Sequence, residues 1–311
     1  MRTGGIVKGG RKRVVIAYFQ GNGGSTPLRL PLLSQTLRAI HDHATSTFNT
    51  NHTSPTDSTA NGSTGSETET EYILLALSYR GYWKSKGRAT QKGIQKDAQA
   101  FLNWIAETYA ESNTELNVVL WGHSLGAAVA SDALVRRLSN PALTSTATIA
   151  GLEEQGTAGR LMKLSMKGIV LEAPISSIKD MLISLYPQKW LPYRYLWPFS
   201  WNNWDVKSSL EQLALHKSSS STPAHLQIQD DVPPILVLSA ESDEVIPTWV
   251  ADDLESKAKS VGLEIQRKDV KGAMHIECPL KYEGRKALVE FIVGSSSSSA
   301  PDADAGSQGR A

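Results

Sequence analysis

Residues 117–126 read NVVLWGHSLG, and this stretch decides the fold. Residues 117–121 form a nearly continuous apolar run, which is typical of a parallel strand covered on both faces. Residues 122–126 match the pattern G-x-S-x-G, and residues 127–138 continue with apolar positions at helical spacing. A buried strand, a sharp turn and a helix in this order predict a turn that presents the hydroxyl of Ser124 at the edge of a sheet.

The turn around Ser124 has the features of a turn that carries a nucleophile. Gly122 and Gly126 leave room for the backbone and the following helix to pack closely against it. The amino end of that helix favours the negative charge that develops when a hydroxyl attacks a carbonyl. The alternative interpretation is a glycine-rich connection between strand and helix in which the serine has no chemical role.

The rest of the chain alternates between apolar runs and segments of helical spacing. Strands are predicted at residues 14–19, 72–78, 117–121, 168–171, 235–239 and 263–270. Helices are predicted at residues 28–40, 92–109, 127–138 and 249–260. This alternation predicts an α/β fold with a mostly parallel, doubly wound sheet of about six strands.

Composition excludes several classes of function. The chain has 311 residues, of which 40% are hydrophobic, and a net charge of +1 from 32 basic and 31 acidic side chains. Such a balance predicts no nucleic-acid partner. A single cysteine excludes an internal disulfide framework and a multi-cysteine metal site. We see no signal peptide and no apolar run of about 20 residues that could span a bilayer, so a cytoplasmic or membrane-associated location is favoured.

The expected organisation is one domain over residues 13–294, after a basic tail at 1–12 and before a disordered tail at 295–311. Within the domain, 17 of the 30 residues from 41 to 70 are Ser, Thr or Asn, which predicts a disordered insertion. Residues 175–215 lie between two predicted strands and are rich in aromatic side chains and prolines. We expect them to form a lid of short, broken helices.

A serine hydroxyl needs a base, and His275 is the candidate. A turn of this type requires the order serine, acid, histidine along the chain. His275 follows the last predicted strand, in a loop that is placed to reach Ser124, whereas the other histidines lie upstream of it. The alternative for any single histidine is a surface or capping role, and His123 is expected to pack within the turn.

Asp243 is the candidate acid that orients the histidine. It follows the predicted strand at 235–239 and would accept the Nδ1 proton of His275. The principal rival is Glu172, which lies just past the predicted strand at 168–171, and Glu241 and Glu244 are close neighbours of Asp243. A solvated carboxylate is the ordinary state of such a residue in a loop.

Acyl transfer also needs donors for the oxyanion. The backbone N–H of Leu125, directly after the nucleophile, is the first expected donor. The second should come from the loop after the first strand, residues 20–25 (QGNGGS), where we nominate the N–H of Asn22. A phosphate-binding loop is the competing interpretation, but neither glycine pattern of such loops is present.

Substrate contacts are expected from aromatic side chains. Trp190 and Trp197 lie in the predicted lid, and Tyr82 and Trp83 are placed to line the pocket entrance. An apolar lid favours a hydrophobic acyl substrate. Ordinary packing of the insertion on the sheet and peripheral contact with a membrane surface are the alternatives. Cys278 is expected to be a buried thiol.

Several motifs together resemble the bud-emergence (BEM) family of eukaryotic α/β-hydrolases. They are YRGY at 79–82 with Lys84-Ser85, Asp97-Ala98, GHSLG at 122–126, LEAP at 171–174, SDEVIP at 242–247 and GAMH at 272–275. The resemblance covers about residues 13 to 293 and implies the α/β-hydrolase fold. It also implies that Ser124, Asp243 and His275 are the catalytic triad, with lipid-like or acylated substrates whose esters or thioesters are hydrolysed.

The chain departs from the family pattern in two places. Gln20-Gly21-Asn22 stands where the family has His-Gly-Asn, so the histidine's support of the oxyanion loop is replaced. The family also has an N-terminal membrane segment and further strands before the oxyanion-loop strand, which here begins near residue 13. The strand at 72–78 is therefore expected to be an apolar edge, covered by a partner or by residues 1–12 unless the sequence is a shortened form.

The predicted function is that of a serine hydrolase that cleaves carboxylic esters or thioesters of hydrophobic acyl substrates through an acyl-enzyme. The expected substrate is a small or lipid-like acyl compound, and an acylated protein is a further candidate. No metal or organic cofactor is called for, because protein groups and water suffice for the mechanism. A peptidase or amidase with the same triad, or a binding protein without activity, are the alternatives.

Overall fold

The computed structural model describes residues 12–50, 70–109, 116–140, 164–219 except 187, 191, 196 and 200, and 232–297. Apolar segments of these ranges form six strands: β1 (Lys12–Phe19), β2 (Thr70–Leu77), β3 (Leu116–His123), β4 (Leu164–Glu172), β5 (Ile235–Ala240) and β6 (Ile265–Val270). They pair in parallel in the order β2-β1-β3-β4-β5-β6. All side chains of β3 are buried, in agreement with its central position and its unbroken apolar run.

Helices cover both faces of this sheet. They are α1 (Thr26–Thr50), α2 (Gln91–Tyr109), α3 (Leu125–Leu138), α4 (Ile178–Leu185), α5 (Val206–Ser219), α6 (Trp249–Ser260) and α7 (Tyr282–Ser297). Helices α1 and α7 pack on one face, where Ile16, Val119 and Leu288 belong to one buried cluster. The opposite face packs against α2, α3, α5 and α6, with Val15 and Leu134 in its cluster. Successive residues of each strand therefore contribute to opposite cores.

The predicted strands and the doubly wound arrangement are confirmed. Each of the six predicted runs lies in or overlaps a strand, and the strand at 72–78 is an edge, because β2 pairs with β1 at one end of the sheet. Of residues 1–12, one of the alternatives expected to cover this edge, Lys12 belongs to β1 and residues 1–11 lie outside the described residues. Among the described residues, no helix has both the length and the apolar character needed to cross a bilayer.

Two boundaries differ from prediction. Helix α1 continues to Thr50, so the disordered insertion expected at 41–70 does not begin at residue 41, and residues 51–69 are outside the described part. Helix α7 continues to Ser297, past the expected start of the tail at 295. It was not predicted as a helix, because Gly284 and Gly294 interrupt its pattern. A Cβ on Gly284 would lie 2.0 Å from the carbonyl oxygen of Cys278, so close packing requires this glycine.

The expected lid at 175–215 contains short, broken helices in its first part. Helix α4 has eight residues, and two 3₁₀ helices follow at Pro192–Tyr195 and Trp197–Phe199. Its last part is different, because α5 packs on α3 with Val206 and Leu210 fully buried. Residues from 206 onward therefore belong to the helical layer of the sheet and not to an overhanging lid. Trp204, 3% exposed, is buried where this layer begins.

Candidate active site

The turn between β3 and α3 holds Ser124 in a strained conformation. Its φ is 53° and its ψ is −117°, a region that non-glycine residues rarely adopt. The flanking glycines have no space for a side chain, because a Cβ on Gly122 would lie 2.3 Å from the Gly126 oxygen and one on Gly126 2.0 Å from the Phe19 oxygen. The serine N–H donates to the carbonyl of Glu172 at 2.8 Å, which ties the turn to the end of β4. This is the geometry of a nucleophile elbow.

The structure brings Asp243 and His275 together, although 32 residues separate them. Nδ1 of His275 lies 2.8 Å from Oδ2 of Asp243, and both side chains are buried, at 9% and 3% exposure. The other carboxylate oxygen, Oδ1, accepts the N–H groups of Val245 at 2.8 Å and Ile246 at 2.7 Å. Since a carboxylate is an acceptor, Nδ1 carries the proton and Nε2 is left with a free lone pair in the neutral ring.

The backbone around His275 is held from both sides. Its N–H donates to Oε2 of Glu244 at 3.0 Å, and its carbonyl lies 3.2 Å from Nε2 of His123. Because a carbonyl oxygen can only accept, Nε2 of His123 carries the hydrogen. Burial lowers the pKa of His123 from 6.5 to about 4, so this ring is neutral at physiological pH. The residue before Ser124 therefore packs against the loop of His275, with the two imidazole centroids 5.0 Å apart.

The loop after β1 lies against the elbow. A Cβ on Gly21 would stand 3.2 Å from Cβ of Ser124, which places this loop directly beside the serine. Gln20, where the family has histidine, is 1% exposed and supports the loop in two ways. Its carbonyl accepts the Tyr79 hydroxyl at 3.0 Å, and its side-chain oxygen accepts the Thr26 hydroxyl at 2.5 Å. These two hydrogen bonds tie the loop to Tyr79 and to the start of α1.

One of the four residues predicted to contact substrate, Tyr82, contacts this loop. The hydroxyl of Tyr82 donates to Oδ1 of Asn22 at 2.8 Å, and Trp83, 60% exposed, follows with a positive φ of 47°. Trp190 is 80% exposed, so it does not line an enclosed pocket. Trp197 begins a 3₁₀ helix, and its side chain lies outside the described part.

Glu172, the rival acid, is engaged elsewhere. Its carboxylate is fully buried and accepts Nη2 of Arg29 at 2.7 Å and the indole N–H of Trp121 at 2.9 Å. Arg29 also donates through Nε to the Tyr18 hydroxyl at 3.0 Å. Burial alone would lower the pKa of Arg29, but the electrostatic interactions and hydrogen bonds with Glu172 and Tyr18 together outweigh it and raise that pKa above its ordinary value. A carboxylate committed to these donors is not available to orient His275.

The network of Arg29 and the contact of Glu244 were not predicted from the sequence. Arg29 lies in the first half of α1, and nothing in its neighbourhood along the chain indicates a buried charge partner. Glu172 was considered from the sequence as a rival acid because of its position at the end of a strand, and in the structure its carboxylate binds Arg29 and Trp121. Cys278 is fully buried, as expected, and burial raises the pKa of its thiol well above the ordinary value.

Comparisons with known proteins give relatives of modest identity, and no family model matches the chain. The chain is 28% identical over 193 residues to Lysophosphatidylserine lipase ABHD12 of Danio rerio, covering 61% of this chain and 41% of the relative. It is 30% identical over 183 residues to Protein ABHD12B of Homo sapiens (57% and 39% covered). It is 26% identical over 174 residues to Protein bem46 of Schizosaccharomyces pombe (56% and 42%). The matched part thus spans about two fifths of the length of these curated relatives.

Solved structures agree with the architecture. The chain superposes on the Pyrococcus furiosus esterase Pf2001 with a TM-score of 0.52 and 16% identity, covering 92% of this chain and 82% of that one. A second crystal form of the same esterase gives a TM-score of 0.51 at 15% identity, with 92% and 82% covered. Likeness at this level concerns the fold alone, and it confirms the predicted α/β-hydrolase fold.

Proposed function

On the premise that the chain is related to the bud-emergence and ABHD12 proteins, we propose that it is a serine hydrolase that cleaves carboxylic esters of hydrophobic acyl groups. The observation that carries the proposal is the hydrogen bond of 2.8 Å between His275 and Asp243, in a loop packed against the residue before Ser124. This pair gives the histidine the tautomer that a general base requires.

In the first half of the proposed reaction, Oγ of Ser124 attacks the ester carbonyl and its proton passes to Nε2 of His275. The carbonyl oxygen becomes an oxyanion, for which the backbone N–H groups of Leu125 and Asn22 are the proposed donors. The intermediate then collapses, the bond to the alcohol breaks, and His275 returns the proton to the leaving oxygen. Asp243 stabilises the imidazolium that forms between these steps.

In the second half, water replaces the alcohol. Its proton passes to Nε2 of His275 while its oxygen attacks the acyl-enzyme carbonyl, and the carboxylic acid leaves as Ser124 recovers its proton. Every proton in this cycle moves between the substrate, water, Ser124 and His275.

We propose a monoacylated phospholipid as the type of substrate. The relative in Danio rerio is named a lysophosphatidylserine lipase. Apolar side chains are exposed beside the triad residues of this chain, since Met274 and Ile276 flank His275 at 46% and 53% exposure. Trp83, 60% exposed, follows the tyrosine that contacts the oxyanion loop. Such side chains suit an acyl chain that enters from a lipid surface.

Covalent labelling tests the nucleophile. A fluorophosphonate probe should label the protein, and Ser124→Ala should remove the labelling. Ser131→Ala is the matched control, because Ser131 is also buried but lies within α3, where its hydroxyl donates to the Ala127 carbonyl at 2.8 Å. A folded protein that is not labelled would favour the binding protein without activity.

Substrate panels test the bond and the acyl group. We expect hydrolysis of p-nitrophenyl esters to increase with acyl-chain length, and release of fatty acid from a lysophospholipid to depend on Ser124. Thioesters and aminoacyl amides of matched chain length complete the panel. Turnover of the amides faster than that of the esters would replace the proposal with a peptidase or amidase.

A further inference from the structure

We propose that Arg29 and Glu172 are positioning residues that hold the loop of His275 in register with the turn of Ser124. This inference rests on the proposed function, because it assigns these two groups a part in the same site. It concerns a buried ion pair that the reaction steps described above do not use. Neither side chain touches the reacting atoms, so each acts through the residues that do.

The guanidinium of Arg29 joins three separate parts of the chain. Nε donates to the Tyr18 hydroxyl at 3.0 Å, on the strand that leads into the oxyanion loop. Nη2 donates to the Glu172 carboxylate at 2.7 Å, and Nη1 donates to the carbonyl of Ile276 at 2.9 Å. Ile276 is the residue directly after His275. Because a guanidinium is planar and rigid, these three bonds fix the relative positions of the three segments.

Glu172 connects the same group to the nucleophile. Its own carbonyl accepts the N–H of Ser124 at 2.8 Å, while its carboxylate accepts Arg29. A single residue therefore contacts the backbone of Ser124 on one side and, through one guanidinium, the backbone beside His275 on the other. Trp121 donates its indole N–H to the second carboxylate oxygen at 2.9 Å, so both oxygens of Glu172 are engaged.

The burial of the Arg29–Glu172 ion pair indicates what the pair contributes. The side chain of Glu172 is 0% exposed and that of Arg29 is 13% exposed. A buried ion pair is often no more stabilising than well-packed apolar residues, so stability is a weak reason for its presence. Directed hydrogen bonds are what apolar residues cannot supply. The backbone of His275 is otherwise held by Glu244 and His123, and Arg29 adds the contact immediately after the histidine.

Arg29→Lys is the principal variant, because it keeps the positive charge near Glu172 but removes the fork of donors. We expect kcat for a p-nitrophenyl ester to fall about 10- to 100-fold with KM nearly unchanged, since a displacement of about 1 Å at a catalytic base has effects of this size. The acid limb of the kcat/KM profile against pH should shift. The deshielded Nδ1 proton of His275 in the NMR spectrum should broaden or move.

Arg13→Lys is the matched control. Arg13 also forms a forked contact, with Glu71 at 2.9 Å and the carbonyl of Tyr109 at 2.8 Å, but at the opposite end of β1 from the elbow. We expect a fall in melting temperature in both lysine variants. Only Arg29→Lys should change kcat, the pH profile and the histidine signal, whereas a merely structural role would change none of them.

Glu172→Gln serves as the second variant should Arg29→Lys fail to fold. It retains an acceptor for Trp121 but removes the charge that holds Arg29, and the same three changes are expected. Both variants with kcat, pH profile and Nδ1 signal equal to those of the unsubstituted protein would overturn the inference. A protein that hydrolyses no ester would instead refute the proposed function, and the NMR comparison would still decide whether Arg29 positions His275.

Discussion

Replacement of Asp243 by asparagine changes one atom and is expected to invert the tautomer of His275. Oδ1 of Asp243 accepts two backbone N–H groups, at 2.8 and 2.7 Å, so the amide oxygen of an asparagine must take that place. The NH₂ group then faces Nδ1 of His275, where Oδ2 accepts at 2.8 Å in the native protein. A donor at this position forces Nδ1 to accept, and the proton of the neutral ring moves to Nε2.

The size of the effect follows from the role of Nε2. With a proton there, His275 cannot take one from Ser124, and the serine loses its base. The Ser-His-Asp template indicates a loss in kcat of about four orders of magnitude, or about 5 kcal/mol in activation free energy. The fold should be affected far less, by about 1 kcal/mol, because all three hydrogen bonds of the carboxylate have counterparts in the amide.

The assay is steady-state hydrolysis of a p-nitrophenyl ester by purified Asp243→Asn protein, together with nitrogen NMR of the His275 ring to read the tautomer. Glu241→Gln is the control, because Glu241 is a nearby carboxylate that accepts the N–H of Gly272 at 2.9 Å and an amide oxygen can still accept it. We expect the control to keep its rate within about twofold, because the substitution retains this hydrogen bond and lies on the surface. An Asp243→Asn protein that retains a tenth or more of the native rate, or an equal loss in Glu241→Gln, would refute the reasoning.

Three further predictions concern the oxyanion loop and the turn beside it. Gly21→Ala should lower kcat about 100-fold, because its Cβ would lie 2.7 Å from Nδ1 of His123 and displace the loop, whereas Gly24→Ala, with no atom within 4 Å, should have native kinetics. Tyr82→Phe should lower kcat about fivefold through loss of the 2.8 Å bond to Asn22, with no change in melting temperature above a few degrees. The pKa of His123 is about 4 in the folded protein and about 6.5 in the unfolded protein, so the unfolded state binds a proton more readily. The free energy of unfolding therefore falls as pH decreases from about 6.5 to about 4. Urea unfolding should show that His123→Gln loses about 3 kcal/mol less than the native protein between pH 7 and pH 4, and an equal loss would contradict the burial argument.

The fold was predictable because its signals are local. Each strand of a sheet covered on both faces is a short apolar run, and the alternation of these runs with helical spacing gives the strand count and the parallel arrangement. The helix at residues 282–297, which was not predicted, shows the limit of this approach. Helix α7 carries two glycines that weaken the pattern by which helices are recognised, and one of them, Gly284, is required by close packing against Cys278.

The site was predictable to the extent that chain order restricts it. The order of Ser124, Asp243 and His275 and their positions after strands follow from the sequence, and the structure places the last two within hydrogen-bond distance. The choice between Asp243 and Glu172 could not be made firmly, since both carboxylates follow strands at the same edge of the sheet. Only the direction of each side chain, one toward His275 and the other toward Arg29, separates them.

The sequence by itself determined the sheet, the elbow and the residue types at the site, because burial of a strand and strain in a turn leave their pattern in neighbouring residues. The tertiary structure decided which charges meet. Arg29 and Glu172 are 143 residues apart, and their contact depends on where the fold places the first turns of α1 and the end of β4. Pairing across such a distance leaves no periodic pattern along the chain, because it is set by the placement of whole elements and not by their local composition.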